Sequence, residues 1–411
     1  MKVFKRGYNR RQQARHALIA AVMASFFPGV FLFCLPALFV SYWKTAIPAS
    51  DTQLGWVTTL AVLASGFFTY LAGLARSRWG TRMMYVVSLV LMVSSLVIAI
   101  TFPTSLWAAY VWAFIAGAST TFAYSPSLSA VQEWYPTRLG LTTGLINISF
   151  GLSAALASPI VARSLTHFGF TTTNAILITL MTVTMIVSII LSTPRRHEKA
   201  RVAELSDDGI SQPVRRSMTT NEALHSSPFW QIWLMWFAGG ASAVTMLTFS
   251  ATYSDYLNGH GVFVNTVAVV TAFAAGNGII RLINAVIIDR VGPVIIDTIA
   301  FGALSLGYLA LILTDNGHIL TLVAFLGGSA LGSIFTTSPS LITPIFGLKH
   351  FGQIFGLIFA AYGIFGALAG PLASTRLSSV IGYKPVFAYL AALSTLACLM
   401  VLALARTRKK M

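Results

Sequence analysis

The stretch AAGNGIIRLINAVIIDRVG, residues 274–292, is apolar enough to cross a membrane, yet it carries an arginine, Arg281, in its interior. It ends on the short polar sequence Asp289, Arg290 and Gly292. About 20 apolar residues cross a hydrocarbon core of roughly 30 Å. The stretch therefore predicts a membrane helix that closes on a charged turn, and comparable windows recur along the whole chain.

The composition also predicts a membrane protein. Of the 411 residues, 56% are hydrophobic and 9% are charged, and the mean hydropathy is +0.77, whereas soluble domains have about 25% charged residues. We predict an all-α membrane protein of twelve transmembrane helices in two pseudo-symmetric six-helix bundles. The helices are expected near 17–43, 54–75, 83–102, 107–132, 141–162, 171–193, 229–254, 264–288, 294–314, 319–345, 353–375 and 386–405.

The 27 Lys and Arg residues are concentrated on one predicted side of the membrane. If the amino terminus is cytoplasmic, the outer side holds only Lys44, Arg163, Arg376 and Lys384. This asymmetry predicts that both termini are cytoplasmic. The net charge of +16 then faces anionic lipid headgroups, so the expected partner is the lipid bilayer and not nucleic acid. With compact loops and no evident organellar presequence, we expect a bacterial inner membrane.

A polar segment divides the chain into two halves of six predicted helices. We predict an amino-terminal bundle over 1–193, a cytoplasmic linker over 194–227 and a carboxy-terminal bundle over 228–411. The halves are related by a sequence repeat. The matched pairs are SPSL at 125–128 and 338–341, SRWG and DRVG at 77–80 and 289–292, and GLTTGLINISFGLSAALASP and GQIFGLIFAAYGIFGALAGP at 140–159 and 352–371. Parallel repeats of this kind are typical of a transporter whose halves rock.

Small residues recur inside the repeat at helix spacing. The pairs Gly140 with Gly144 and Gly352 with Gly356 allow close helix packing. Pro159 and Pro371 occupy matching positions later in the two segments, and they predict a bend in the fifth and eleventh helices.

The short basic turns GLARSRWGTR (73–82) and NAVIIDRVG (284–292), together with twelve helices as six plus six, resemble the signature of the major facilitator superfamily. The resemblance implies gating turns at the inner ends of the second and eighth helices. In the first copy Ser77 stands where the family has an acid, so the family's ion pair is not expected there. The gating residues it implies are Asp289, Arg290 and Gly292, with Arg78, Gly80 and Arg82 in the first copy.

The segments SPSLSAVQEWYPTRLGLTTGL (125–145) and SPSLITPIFGLKHFGQIFGLIFAAYGIFGALAGP (338–371) are similar to the oxalate/formate antiporter branch and to its relatives, the monocarboxylate transporters. In those proteins an arginine on the eighth helix holds the substrate carboxylate, and Arg281 stands at that place. The oxalate carrier adds a lysine on the eleventh helix to bind a dianion. This sequence has no Lys or Arg between Lys349 and Arg376, so we favour a monocarboxylate such as lactate, pyruvate, acetate or formate.

The position of Arg281 supports a functional role independently. It precedes Asp289 by eight residues, roughly 12 Å along a helix axis, and a cation at such depth costs at least about 2.5–3.5 kcal/mol. The alternative is a structural arginine paired with a fixed acid. All eleven acids lie in loops or near predicted helix ends, and Asp255 is the one that could reach in. A planar guanidinium can hold both oxygens of a carboxylate.

Asn277 precedes Arg281 by one helical turn. It could orient the arginine, donate to the substrate or bond to another helix. In many animal relatives the resemblance places a proton-coupling aspartate there, and Asn277 cannot titrate. Apolar walls and a few polar groups are expected around the anion, from Phe31, Tyr124, Asn147, Phe335, Phe359 and Tyr362. The clusters WQIWLMW (230–236) and Tyr42–Trp43 predict interfacial belts.

These features predict a secondary carrier that alternates access around Arg281. There is no Walker A sequence, no metal-ligand spacing and no nucleophile–base pattern, so we expect neither ATP-driven transport nor an enzyme, and no metal or other cofactor. We expect a monomer that transports a small organic anion, with a proton as the favoured co-substrate. Anion exchange and drug or siderophore export on the same fold remain as alternatives.

Overall fold

The computed structural model describes residues 2–194, 198, 217–366, 368, 378, 380 and 382–410. Its regular structure within these residues is helical throughout. The helices are α1 (Lys2–Gly29), α2 (Leu35–Ala46), α3 (Asp51–Thr101), α4 (Leu106–Trp134), α5 (Leu139–Leu191), α6 (Thr220–Leu224), α7 (Ser227–Gly259), α8 (Thr266–Val291), α9 (Pro293–Leu313), α10 (Gly317–Phe346), α11 (Phe351–Ala360) and α12 (Tyr383–Lys410).

Two π-helical segments extend these helices. The π-turn Val30–Cys34 joins α1 to α2, and the π-segment Ala361–Gly366 continues α11. Within the described residues, eight stretches are long and apolar enough to cross a membrane, and two of them contain two spans each. The long helices α3 and α5 are divided at Gly80 and Gly169, which depart from helical geometry. The helices α7 and α11 lie at the two remaining predicted segments, and the end of the predicted span 353–375 lies outside the described residues apart from 368.

Turn glycines preserve the repeat in the backbone. Gly80 has φ 81° and ψ 169°, and its counterpart Gly292 has φ 85° and ψ 147°. A side chain would be strained at such positive φ, so both basic turns require glycine. Gly80 divides α3 and Gly292 follows the end of α8, so the two glycines occupy equivalent points of the two halves. This equivalence confirms the register that pairs SRWG (77–80) with DRVG (289–292).

Side-chain caps explain where two of the long helices begin. The Ser50 hydroxyl accepts from the Gln53 backbone N–H at 3.3 Å, and the Ser50 N–H donates to Gln53 Oε1 at 2.9 Å. This reciprocal pair is a capping box that starts α3. The side chain of Asn265 accepts from the Ala268 N–H at 3.1 Å and starts α8, which fixes the register of Arg281 along its helix.

The chain forms two compact units. Unit 1 comprises Met1–Met218 with Phe346–Gly356, and unit 2 comprises Thr219–Ile345 with Leu357–Met411. The predicted linker 194–227 lies largely outside the described residues, although its end contains α6. The predicted division into two bundles and a linker stays a prediction.

Glycines permit close backbone contact inside unit 1. A Cβ atom on Gly352 would lie 3.2 Å from the Cα of Gly73, and one on Gly356 would lie 2.5 Å from the Cα of Tyr70. The second small-residue pair of the repeat therefore has the packing role predicted for it. Pro371, for which a bend in the eleventh helix was predicted, lies outside the described residues.

Two tryptophans correct the prediction of interfacial belts. Trp43 is 1% exposed, and its ring centroid lies 5.5 Å from that of Trp112. Trp236 is fully buried, whereas Trp230 in the same cluster is 48% exposed. The belt prediction is wrong for Trp43 and Trp236, because tertiary neighbours bury faces that a run of aromatic letters does not distinguish.

Candidate functional site

Arg281 lies on the buried face of α8. Its exposed fraction is 0%, and Asn284, one turn later, is 1% exposed. On the opposite face, Ile279 is 46% exposed and Val286 is 70% exposed. An amphipathic pattern with apolar residues outward suits a helix in lipid, so the arginine is directed into the protein.

Two contacts orient the guanidinium of Arg281. Its Nε atom donates to Asn277 Oδ1 at 3.0 Å, and its Cζ atom lies 4.7 Å from the ring centroid of Phe335. A cation over an aromatic face gains electrostatic stabilisation, more so where water is excluded. The hydrogen bond from Nε is the contact that an orienting role for Asn277 requires, and its other two roles, toward the substrate and toward another helix, stay predictions. The acid that could have reached in, Asp255, is exposed and makes no ion pair with Arg281 within the described part of the chain.

Glycines on α10 allow α8 to approach closely. A Cβ atom on Gly328 would collide with the carbonyl oxygen of Phe273. A Cβ atom on Gly332 would lie 2.7 Å from the carbonyl oxygen and 3.0 Å from Oδ1 of Asn277. Because the helices touch here, Phe335, three residues after Gly332, reaches the guanidinium.

Four aromatic side chains of unit 2 surround this point. The ring centroid of Phe335 lies 5.2 Å from that of Trp236, 5.9 Å from that of Phe359 and 5.8 Å from that of Tyr362. Phe359 and Tyr362 are 5.6 Å apart. Sequence reasoning therefore selected three members of this aromatic cluster and missed the fourth. The Trp236 Nε1 atom donates to Ser338 Oγ at 2.8 Å, and the SPSL repeat that contains Ser338 was the available signal.

The two π-helical segments both carry predicted site residues. Tyr362 lies in the segment after α11, where a Cβ atom on Gly240 of α7 would be 2.7 Å from its Cδ2 atom. Phe31 lies in the π-turn between α1 and α2 and is 1% exposed. Wide turns of this kind are frequent at functional sites.

The predicted site residues of unit 1 form a second polar point. The Tyr124 hydroxyl donates to Asn147 Oδ1 at 2.7 Å, and Asn147 Nδ2 donates to the Thr143 carbonyl at 2.9 Å. The ring of Tyr124 stacks on Phe150 with centroids 4.3 Å apart. The structure thus brings Tyr124 and Asn147 together in unit 1, and gathers Arg281, Asn277 and the aromatic cluster in unit 2.

The end of unit 1 that contains the turn at Gly80 has an ion pair that sequence reasoning missed. The Arg76 Nη2 atom donates to both carboxylate oxygens of Glu133, at 2.9 and 3.0 Å, and Glu198 lies 3.9 Å away. Ser77, at the family's acid position, instead donates to the Leu74 carbonyl at 2.7 Å. Arg76 thus supplies an ion pair beside a position that lacks the acid.

The predicted gating residues lie at the turns where they were expected. Arg78 is exposed, and Arg82 donates to the carbonyl of Ser192 at 2.8 Å. Asp289 and Arg290 are exposed at the end of α8. Their gating role stays a prediction.

Long apolar helices, a sequence repeat that relates the two halves of the chain and a fully buried arginine are the features of a membrane transporter. The chain belongs to the Major Facilitator Superfamily, which it matches over two overlapping stretches, residues 17–317 and 266–411. Members of this family are transporters and not enzymes, and they carry small-molecule substrates.

Relatives of known sequence are distant. The chain is 24% identical over 389 residues, covering 92% of it and 94% of the relative, to the uncharacterized 38 kDa protein in the 23S RNA operon of Thermoproteus tenax. It is 23% identical to the uncharacterized MFS-type transporter YhjX of Escherichia coli (strain K12), covering 61% of this chain and 60% of that one. It is 22% identical to the oxalate:formate antiporter of Oxalobacter formigenes, covering 64% and 62%. The alignments thus span less than two thirds of the last two relatives.

Solved structures share the fold. The Escherichia coli fucose:proton symporter FucP matches with a TM-score of 0.68 at 11% identity, over 95% of this chain and 98% of that one. The human organic anion transporter MFSD10 matches with a TM-score of 0.67 at 14% identity, over 95% and 99%. At these identities the likeness extends to the architecture alone.

Proposed function

We propose that this transporter carries small monocarboxylate anions of the lactate, pyruvate, acetate or formate type by proton-linked symport. The observation that carries the proposal is the fully buried Arg281 on α8, whose guanidinium is oriented by Asn277 and lies over Phe335. A planar guanidinium can bind both oxygens of a carboxylate. The transporter would alternate access to Arg281 from the two sides of the membrane.

The number of charges supports one negative charge on the substrate. Among the described side chains, Arg281 is the one Lys or Arg that is buried. A dianion would leave one charge unbalanced in a place where charge is costly. Aromatic walls from Phe335, Phe359 and Tyr362 suit the short apolar part of such a substrate.

We further propose that the protein is a monomer in a bacterial inner membrane with both termini in the cytoplasm. The asymmetry of its basic residues supports this orientation. No nucleic acid and no cofactor has a role in this mechanism.

Anion exchange is the second candidate. The similarity to a relative named oxalate:formate antiporter favours it. In exchange, a second anion would occupy Arg281 on the return step, and no proton would be carried with the substrate.

The test is uptake of radiolabelled lactate, pyruvate, formate and oxalate into proteoliposomes. An imposed pH gradient or a trapped counter-anion would drive uptake. We expect gradient-driven uptake of monocarboxylates that Arg281→Lys abolishes, because an ammonium lacks the bidentate fork. The matched control is Arg163→Lys at an exposed arginine, which should transport normally.

Three outcomes would contradict the proposal. If the folded wild type transports none of the four anions, or if Arg281→Lys transports normally, the carboxylate function is wrong and export of a larger compound takes its place. Uptake driven only by a trapped anion would replace symport with exchange.

A further inference from the structure

Unit 2 contains a buried carboxylate, Asp297, in the second turn of α9. It is 0% exposed, and its Oδ2 atom accepts from the Thr337 hydroxyl of α10 at 2.8 Å. Its Oδ1 atom is buried and has no hydrogen-bond partner within the described residues. The predicted position of Asp297 near a helix end is correct, but the burial of its side chain was not predicted.

The helices that pack against α9 bring no ion pair to Asp297 within the described part of the chain. Cys398 of α12 contacts the adjacent residue, with its Sγ atom 3.7 Å from the Thr298 carbonyl oxygen. The other charged groups toward this end of the neighbouring helices are Arg281, Asp289 and Arg290 on α8 and Arg406 on α12. The described titratable groups of α7 and α10 belong to the opposite ends of those helices and are Tyr253, Asp255, Tyr256 and His318.

A polar path leads from Asp297 toward the arginine. Thr337, which donates to Asp297, also lies 2.9 Å from the Ser333 carbonyl oxygen. The Ser333 hydroxyl accepts from Asn284 Nδ2 at 3.0 Å. Asn284 follows Arg281 by three residues, roughly 4.5 Å along the helix axis. Its Oδ1 atom is also buried without a hydrogen-bond partner within the described residues, so the path has free acceptor positions at both ends.

Charge balance links the two ends of this path. In the described part of unit 2, Arg281 and Asp297 are the one cation and the one anion whose side chains are buried. When both are charged, the empty interior has no net charge. A substrate anion at Arg281 would leave Asp297 as an excess negative charge unless it binds a proton. Since net charge is costly to bury, the empty form and the form with both anion and proton are favoured over either half-loaded form.

We propose that Asp297 is the proton-binding site that couples the anion to the proton. This inference rests on the proposed function and names a residue for its coupling step. A lone pair of the Asp297 carboxylate takes a proton from water on one side of the membrane to form an O–H bond. That bond breaks when the proton returns to water on the other side. Because anion and proton binding favour each other by the same factor, the two are carried together.

The first test is Asp297→Asn in proteoliposomes. The amide oxygen retains the bond from Thr337 but cannot bind the proton. We expect loss of accumulation driven by a pH gradient, down to the level of an equilibrated solute, while exchange of labelled for unlabelled anion continues. Asp255→Asn, at an exposed acid, is the matched control and should accumulate substrate as wild type does. Uphill accumulation retained by Asp297→Asn, or accumulation driven by sodium at constant pH, would overturn the proposal.

The second test does not require a substrate. Infrared difference spectra recorded between two pH values should contain the C=O band of a protonated carboxyl that disappears in Asp297→Asn. A band that persists unchanged in this variant would overturn the proton site. If wild type transports no monocarboxylate, the proposed function fails, and this band decides separately whether Asp297 binds a proton.

Discussion

The two units place different chemistry at equivalent positions of one repeat. At a shift of 212 residues, Asn277 and Arg281 of α8 correspond to Ser65 and Thr69 of α3. Thr69 is 1% exposed, and its hydroxyl donates to the Ser65 carbonyl at 2.6 Å. Unit 2 therefore buries the charged Arg281 at this position, whereas unit 1 buries the hydroxyl of Thr69, which forms its hydrogen bond within α3.

The same shift pairs Asp297 with Tyr85. The Tyr85 hydroxyl lies 2.8 Å from Ser127 Oγ, a neutral contact between α3 and α4. The charges of unit 1 lie instead near its turn at Gly80, where the partly exposed Arg76 pairs with the buried Glu133 at 2.9 Å and lies 3.9 Å from the buried Glu198. The two units thus use charge differently: unit 1 pairs a cation with a carboxylate, whereas in unit 2 no ion pair joins Arg281 to Asp297 within the described residues, and these are the groups to which we assign the anion and the proton.

The largest stability difference between the units should come from their carboxylates. Glu133→Gln removes the nearer carboxylate from Arg76 and leaves Glu198 at 3.9 Å, so we expect a loss of about 2 kcal/mol, below the roughly 3–5 kcal/mol of a fully broken buried ion pair. Asp297 forms no ion pair within the described residues, so we expect Asp297→Asn to lower the free energy of unfolding by less than about 1 kcal/mol. Thermal unfolding in detergent would measure both. Equal losses in the two variants would show that Asp297 is also part of a structural pair.

A second effect should be shared by the two units, because both use the same glycine contact. A Cβ atom on Gly117 would collide with the Ala61 carbonyl oxygen, as one on Gly328 would collide with that of Phe273. Ala61 and Phe273 are 212 residues apart. We expect Gly117→Ala and Gly328→Ala each to lose about 1–3 kcal/mol through overpacking. Gly302→Ala, where a Cβ atom has no neighbour within 4 Å, is the control. Should the two contact variants differ widely, the helix contact is not equivalent in the two units.

The smallest expected effect concerns Trp236 in the aromatic cluster. Trp236→Phe keeps a ring beside Phe335 but removes the 2.8 Å bond to Ser338. One lost hydrogen bond costs about 0.5–1.5 kcal/mol, so we expect a modest fall in thermal stability and a KM for the anion within about tenfold of wild type. A complete loss of transport would mean that Trp236 contacts the substrate directly.

Local rules predicted much of this protein. The turn glycine Gly292, the spans of α7 to α10 and the inward position of Arg281 follow from helix length, periodicity and the cost of a buried cation. Phe335, Phe359 and Tyr362 were selected by their depth along their helices, and the structure brings them together. The same reasoning placed Trp236 in an interfacial belt and passed over Arg76 and Glu133, because depth along a helix does not reveal which face is covered.

The sequence by itself determined the membrane class, the twelve segments and the repeat, since these depend on composition and on spacing along one chain. Only the tertiary structure decided that Asn277 accepts a hydrogen bond from Arg281, that Trp236 completes the aromatic cluster and that Asp297 is buried beside Thr337. The positions of Trp236 and Asp297 depend on contacts between helices that are far apart in sequence, whereas Asn277 and Arg281 lie one turn apart on α8. Gly328 and Gly332 of α10 allow α8 to lie close enough for Phe335 to reach Arg281, because a side chain at either position would hold α8 away.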